Sequence, residues 1–471
     1  MNTLNFPFLK PLNGKLDLFL RFFALIYFIA ILSILSQYDA LFSFNGISSF
    51  IKHLSTIKTY LGEFYFIKQP SMFYFFKSDV AIKSTLGLGL AASFICLLGY
   101  LHVVFYAFLW FLYVSIVNAG SIFLSFQWDI LLCEVGFLVL FLFPIKSTHL
   151  TSIQTITIWA LRFVLFKLMM ASALVKLMSG DITWHNLTAL NYHYFTQPIP
   201  HFLAWFIHQL PTGVHKLSTI LMFIIEGIVP FLIFLGNRAR KMAGLLFILL
   251  MLCIAFTGNY GFFNSLVICL CLTLFIKTNT KLSLNKYTLI GIIPIACIAL
   301  SVIIESARFS PVKLPYQTVS TVTKTLRPWF LINQYGLFAR MTTTRNEIVI
   351  KGSADGKNWK QYEFKYKPSN TKIAPQWVQP HMPRLDWQLW FAALGTINQN
   401  QWLIKLMDKL ANNDTDMNKI IFNNPFVQTK PNYIKADLYR YEFSTYKHWQ
   451  KTGEWWIKQY RGSYSPTFIR K

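Results

Sequence analysis

No cysteine follows Cys297, so disulfides do not hold the last third of this chain together. The six that exist (Cys96, Cys133, Cys253, Cys269, Cys271 and Cys297) all fall in apolar runs, where a free thiol behaves as a small buried hydrophobe. No C-x-x-C pair occurs, which removes the dithiol redox chemistries. Acids are scarce: 19 Asp+Glu stand against 44 Lys+Arg, for a formal net charge of +25. Between Val80 and Leu300 only Asp129, Glu134, Asp181 and Glu226 are acidic. G-x-S-x-G, Walker, dinucleotide-binding and H-E-x-x-H signatures are all missing, so the common hydrolase, nucleotide and zinc-protease classes have no sequence support. The basic excess lacks the basic helix or aromatic-basic module of a nucleic-acid binder, and no nucleic-acid partner is expected. Repeats and low-complexity runs are lacking too.

What the chain does have is apolar length. Its 471 residues are 54% hydrophobic and only 13% charged, with a mean hydropathy of +0.42. From Arg308 onward there are 25 Lys+Arg and 10 Asp+Glu, against 19 and 9 before it, so +15 of the +25 lies in the last third. The boundary implies an α-helical polytopic membrane bundle over residues 1–305 and a soluble α+β domain over 306–471. Runs near 17–36, 84–100, 102–119, 130–146, 157–178, 217–236, 241–257, 260–276 and 287–304 predict about nine spans, the first reading as a retained anchor. Arg238, Arg240 and Lys241 mark one short inner loop, and Lys277, Lys281 and Lys286 another. That orientation puts the C-terminal domain outside the cytoplasm: in the periplasm if the membrane is a bacterial inner membrane, in the lumen if it is endoplasmic reticulum. The lysines of 37–83 run against this orientation and predict interfacial amphipathic helix there.

Past Glu305, Pro311 and Pro315 mark a linker. E-I-V-I-K-G (347–352) and W-K-Q-Y-E-F-K-Y (359–366) alternate around S-A-D-G, predicting a hairpin. Two helices are expected at 384–395 and 399–411, and a strand at 434–443.

The richest stretch runs from Trp159 to Pro200. One apolar helix carries Arg162, Lys167 and Lys176, then breaks into S-G-D-I-T-W and H-Y-F-T-Q-P-I-P. A cation at the bilayer centre costs roughly 2.5 to above 10 kcal/mol, so such charges are functional or paired by default. Arg162 is expected to meet Glu134 or Glu226, and Lys176 to sit with Asp181 and Asp129 at the outer edge. Lys176 can snorkel, pair or act as a general base, the last requiring a desolvated amine. The outer-loop residues Trp184, His193 and Gln197 read as an interfacial aromatic belt, and the lone His193 is not a metal site. In the soluble part, Arg384 and Asp386 open a helix on which Trp387 and Trp390 are spaced as a buried face. The functional alternative is an aromatic groove that holds a client segment, since nine of the 14 tryptophans lie in this domain.

Taken together, F-L-S-F-Q-W-D-I-L-L-C-E-V-G (123–136), Trp159, Arg162, Lys176, G-D-x-x-W (180–184), L-T-A-L (187–190) and H-Y-F-T-Q-P-I-P (193–200) resemble the lipase maturation factor family. N-Q-Y-G-L-F (333–338), G-S-A-D-G-K-N-W (352–359), Y-E-F-K-Y-K-P (362–368) and P-H-M-P-R-L-D-W-Q-L-W-F-A-A-L (380–394) continue the likeness in the same order. The resemblance implies a membrane protein that lets dimeric lipases reach an active fold and binds them through its outer part. The chain lacks lumenal cysteines and is rich in Lys, Asn and Phe, which suggests a bacterial source and leaves the client open. A shorter likeness, A-L-V-K-L (173–177) with Asp181 and Trp184, points to the vitamin K-dependent carboxylases, where a lysine in a similar setting is the general base. The expectation is therefore a membrane maturation factor for exported clients such as lipases, with no cofactor, no metal and no covalent chemistry. The rival is an integral membrane enzyme of carboxylase or epoxidase type using Lys176.

Overall fold

The computed structural model describes residues 14–143, 150–278, 288–309 and 324–470. Lys281, Lys286, Pro311 and Pro315, used above for topology and linker, lie outside them. A helix occupies each of the nine apolar segments: α1 (Lys15–Leu35), α2 (Asp79–Leu97), α3 (Val103–Ala119), α4 (Gln127–Val139), α5 (Ser152–Met178), α6 (Thr212–Gly227), α7 (Asn237–Ala255), α8 (Phe263–Leu272) and α9 (Ile292–Phe309). Five are long and apolar enough to cross a membrane by length and composition: α1, α2, α5, α6 with its 3-10 continuation to Ile233, and α9. The others are shorter or begin with charges, as α7 does with Arg238, Arg240 and Lys241. In the 37–83 stretch the helix Phe50–Leu61 is amphipathic, burying Phe50 and Leu54 and exposing its lysines.

The longest helix, α5, starts from a reciprocal cap, Thr151 taking the Gln154 amide while the Gln154 side chain takes the Thr151 amide. At 1.5 Å per residue its 27 residues span about 40 Å, more than a hydrocarbon core of ~30 Å. It can therefore carry Lys176 toward one end of the bundle while Arg162 lies toward the other.

The C-terminal part is built on a five-stranded antiparallel sheet. Its centre is β5 (Tyr433–Phe443), flanked by β1 (Arg345–Ser353) and β6 (Trp456–Ser463), with β2 (Lys360–Gln361) outside β1 and β7 (Phe468–Ile469) beside β5. Arg345 stands opposite Tyr441 and Ser353 opposite Tyr433, so alternate residues of β1 face opposite sides. Ile348 and Ile350 join Ile434 and Ala436 in the main core with α10 (Arg384–Ala392) and α11 (Trp402–Ala411). On the other face Val349, Tyr441, Phe443 and Trp456 pack on Phe195 and Trp205, which belong to short helices of the outer loop. The membrane part thus completes the sheet's second layer. The S-A-D-G turn forms as expected: Asp355 accepts from the amides of Lys357 (2.9 Å) and Asn358 (2.8 Å) and from Ser353 Oγ (2.9 Å). Residues 359–366 do not continue as one strand: after β2 the chain passes to β3 (Glu363–Phe364), which pairs with β4 (Ile421–Asn423) in a separate sheet.

The two parts share one contiguous apolar core running from Phe19 to Ala436. Polar contacts bolt the same joint: Gln37 Nε2 donates to Met382 O (2.9 Å), Asn259 Nδ2 to Gln376 O (2.8 Å), and Trp390 Nε1 to Thr196 O (2.8 Å).

Candidate functional site

Each cation of α5 has a distinct destination, and neither Arg162 nor Lys176 meets an acid named for it from the sequence. Arg162 is wholly buried and donates to the carbonyls of Thr273 (3.0 Å) and Ile276 (2.6 Å) where α8 and its 3-10 extension run out, sharing Thr273 O with the Ile276 amide. It reaches neither Glu134 nor Glu226, because a helix end already supplies the acceptors at its level. Five residues on, Lys167 Nζ takes Glu134 Oε1 at 2.7 Å and approaches Ser301 Oγ at 3.3 Å. The other Glu134 oxygen accepts from the Asn333 amide (3.0 Å), Asn333 Nδ2 (2.9 Å) and the Tyr335 hydroxyl. Lys176 Nζ donates to Glu226 Oε2 at 2.6 Å, since α6 packs along α5 and faces it.

Asp129 and Asp181, expected beside Lys176, are used elsewhere. Asp129 receives both terminal nitrogens of Arg384 (2.6 and 2.7 Å) and the Tyr113 hydroxyl (2.7 Å). Asp181 follows Gly180, whose φ of +69° turns the chain, and caps the short helix Ile182–His185. Its carboxylate accepts from the Thr183 amide (2.8 Å), Thr183 Oγ1 (2.8 Å) and the Met341 amide (2.6 Å). Burial acts to raise this carboxyl, but those bonds outweigh it and hold it below its ordinary value.

The proposed client-binding group is inside the joint, not on a surface. Arg384, Asp386, Trp387 and Trp390 are all buried. Trp387 packs edge-on to Trp128 (4.9 Å between centroids), and Asp386 accepts from the amides of Tyr366 (3.0 Å) and Lys367 (2.9 Å). Helical spacing marks a buried face but does not say which partner covers it, and here the partner is the membrane bundle. A second clamp went unnoticed in the sequence: buried Arg345 donates to the carbonyls of Phe195 (3.0 Å), Gln197 and Pro198 (2.8 Å), and pairs with Glu347. Its signal was a charged i, i+2 pair in a strand buried on both faces.

Above α5 to α7 the outer loop roofs a cavity of about 560 Å³. Its walls are largely Leu, Ile, Met and Phe, and its polar lining includes Lys176, Glu226, His193 and Tyr260. Gln197 fixes the roof. Its Nε2 donates to Thr257 O (2.8 Å), so its Oε1 faces Tyr260 and accepts that hydroxyl at 2.9 Å. A Cβ on Gly258 would fall 1.9 Å from this Oε1, so only glycine leaves room for it. Trp184 Nε1 donates to Phe338 O (2.9 Å), and the Phe338 ring stands edge-on to His193 at 5.0 Å. Trp184, His193 and Gln197 therefore form a built wall, where the sequence suggested a loose aromatic belt. Among the described residues no three His, Cys, Asp or Glu side chains converge as metal ligands. Lys176, the candidate base, donates to the Glu226 carboxylate at 2.6 Å.

Residues 15–282 match the family described as lipase maturation factor transmembrane domain, and residues 331–466 match lipase maturation factor C-terminal domain. The chain belongs to the lipase maturation factor family. It is 32% identical to mouse Lipase maturation factor 1, over 95% of this chain and 86% of that protein. The human Lipase maturation factor 1 is 31% identical, over 83% and 74% of the two chains. Lipase maturation factor 2 of Xenopus tropicalis is also 31% identical, over 76% and 68%. No solved structure matches the chain. In this family member the similarity to mouse covers the bundle, the outer loop and the sheet, so the joint between them lies inside the shared part.

Proposed function

We propose that this protein is a membrane-bound maturation factor that assists the folding or assembly of exported lipase-type clients by recognition, without covalent chemistry. The observation that carries the reading is similarity to lipase maturation factors over both the bundle and the C-terminal domain. In this reading all nine apolar segments span, the loop at Arg238, Arg240 and Lys241 is cytoplasmic, and residues 306–471 lie outside the cytoplasm, in a periplasm or a lumen. With the tryptophans of α10 buried in the joint, the client surface is the free side of the sheet edge at β6, where Ile457 and Tyr460 are exposed. An edge strand offers unpaired amides and carbonyls to a client strand that has not yet found its own partner. The joint holds that edge at fixed orientation above the membrane.

The test is co-expression with a homodimeric lipase in cells deprived of their own maturation factor. Secreted lipase specific activity should rise with the full chain, and fall back with Tyr460→Asp on β6 at equal abundance of the protein. Full abundance in the membrane with no gain in lipase activity overturns the reading.

A further inference from the structure

The cavity beneath the outer loop is left without a role by a mechanism of client recognition at β6. Its hydrogen-bonding groups are not equivalent, and their orientation can be worked out. Gln197 Nε2 is committed to carbonyls, so Oε1 must accept from the Tyr260 hydroxyl (2.9 Å). With its proton given away, the Tyr260 oxygen meets His193 Nε2 (3.3 Å) as an acceptor, so the imidazole carries its proton on Nε2. Burial and the nearby Lys176 push the imidazole down to about 4, which keeps it neutral at physiological pH. Nδ1 is then a bare lone pair without a protein donor among the described residues. At the same cavity Lys176 Nζ has one protein acceptor and Glu226 Oε2 one donor, while Glu226 Oε1 has none among the described residues. Two acceptors and spare ammonium protons therefore belong to residues that line a largely apolar cavity of about 560 Å³, where Ser172, Ser218 and Thr257 donate their hydroxyl protons to nearby carbonyls of their own stretches, a volume within the range of small-molecule sites.

The surroundings select a class of occupant. The cavity lies between α5, α6 and α7, and away from it α6 and α7 expose Leu217, Ile224, Leu245 and Leu252. Such a face in a spanning helix meets acyl chains, so the molecules next to the cavity are lipids. A carboxylate head would oppose Glu226 and the Nδ1 lone pair. An ester or ketone head accepts only, and would leave both acceptors unanswered at a desolvation cost. A hydroxyl both donates to an acceptor and accepts from Lys176. We propose that this cavity binds a single-chain lipid with a hydroxyl head, the chain lying among the leucines and methionines and the hydroxyl between His193 and the Lys176–Glu226 pair.

The test uses the full chain in detergent micelles and photoreactive oleyl alcohol carrying a mid-chain diazirine. Labelled peptides should come from α5 and α6, and the bulky substitution Ser172→Trp at the cavity wall should abolish labelling. In the wild-type protein, oleyl alcohol and 1-oleoylglycerol should compete about 10-fold better than methyl oleate or oleate, the difference of roughly one hydrogen bond. If 1-oleoylglycerol competes better than oleyl alcohol, the head is a glycerol; the reverse order assigns a simple alcohol, and either supports the site. Equal competition by methyl oleate overturns hydroxyl recognition, and labelling unmoved by Ser172→Trp overturns occupancy of the cavity. Neither readout involves a lipase, so loss of client maturation leaves this result standing.

Discussion

Two buried ion pairs, Arg384–Asp129 at the joint and Lys176–Glu226 at the cavity, have the same closest separation of 2.6 Å and differ in everything around them. Asp129 is met by three donors and Arg384 by the additional carbonyl of Phe123 (3.2 Å), with the Arg384 amide tied to Gln37 (2.8 Å). Lys176 and Glu226 meet each other and then open space. Burial and charge are equal in kind, so neither separates a structural pair from a binding one. Adjacent space does: the Arg384–Asp129 pair is closed in by protein, with even Arg384 Nε buried without a partner among the described residues, and can only hold, whereas a pair bordering a cavity can hold something else.

The largest effect should come from breaking the enclosed pair. Arg384→Met leaves Asp129 charged and enclosed with only Tyr113, a loss of about 3–5 kcal/mol. The full chain should lose most of its folded yield in detergent, and the double variant Asp129→Leu with Arg384→Met should recover much of it. A single Arg384→Met protein with wild-type Tm would show that the joint is not held here.

At the cavity the same operation should cost less. Lys176→Met removes one charged hydrogen bond, about 1–3 kcal/mol, because Glu226 keeps access to the open space. Thermal unfolding should therefore rank Arg384→Met well below Lys176→Met. The reverse ranking would sink the argument from enclosure.

The joint also carries a pH signature, through Asp386, two residues from Arg384 on the same helix. Burial raises its carboxyl to about 6, against the lowering effect of the Lys367 and Tyr366 amides and the Lys367 ammonium. Between pH ~4 and ~6 the folded protein keeps a proton that the unfolded chain has already released. Stability should thus decline as pH rises through that window and level off above it, by up to roughly 3 kcal/mol for a shift of about two units. Asp386→Asn should flatten this segment of the Tm–pH curve. Identical slopes in both proteins would mean that Asp386 is ionised throughout.

Helix positions were legible because apolar run length is a local property, and so was the strand at 434–443, observed at Tyr433–Phe443. The S-A-D-G turn was legible for the same reason: its bonds stay within Ser353–Asn358. Pairings were not. Arg162 was assigned an acid because the carbonyls of Thr273 and Ile276 become its acceptors only where a helix more than a hundred residues away happens to end. Arg384 was placed on a helix with a buried face, but its partner was not named, because nothing near it in sequence announces Asp129, 255 residues earlier. The cavity was the least legible feature, since Gln197, Tyr260 and His193 become one hydrogen-bonded chain only after the outer loop folds down on α7 and α8.

The smallest effect fixes the zero of this scale. Lys419 and Asp416 approach to 2.7 Å, as close as the buried pairs, but their side chains are 68% and 37% exposed. Water screens the attraction and holding a long side chain still costs entropy, so contact distance alone should count for almost nothing. Lys419→Gln should leave the Tm unchanged within error in low salt and high salt alike. If it lowered the Tm as far as Lys176→Met does, distance would be the governing variable after all, and the contrast between a filled joint and an open cavity would lose its physical basis.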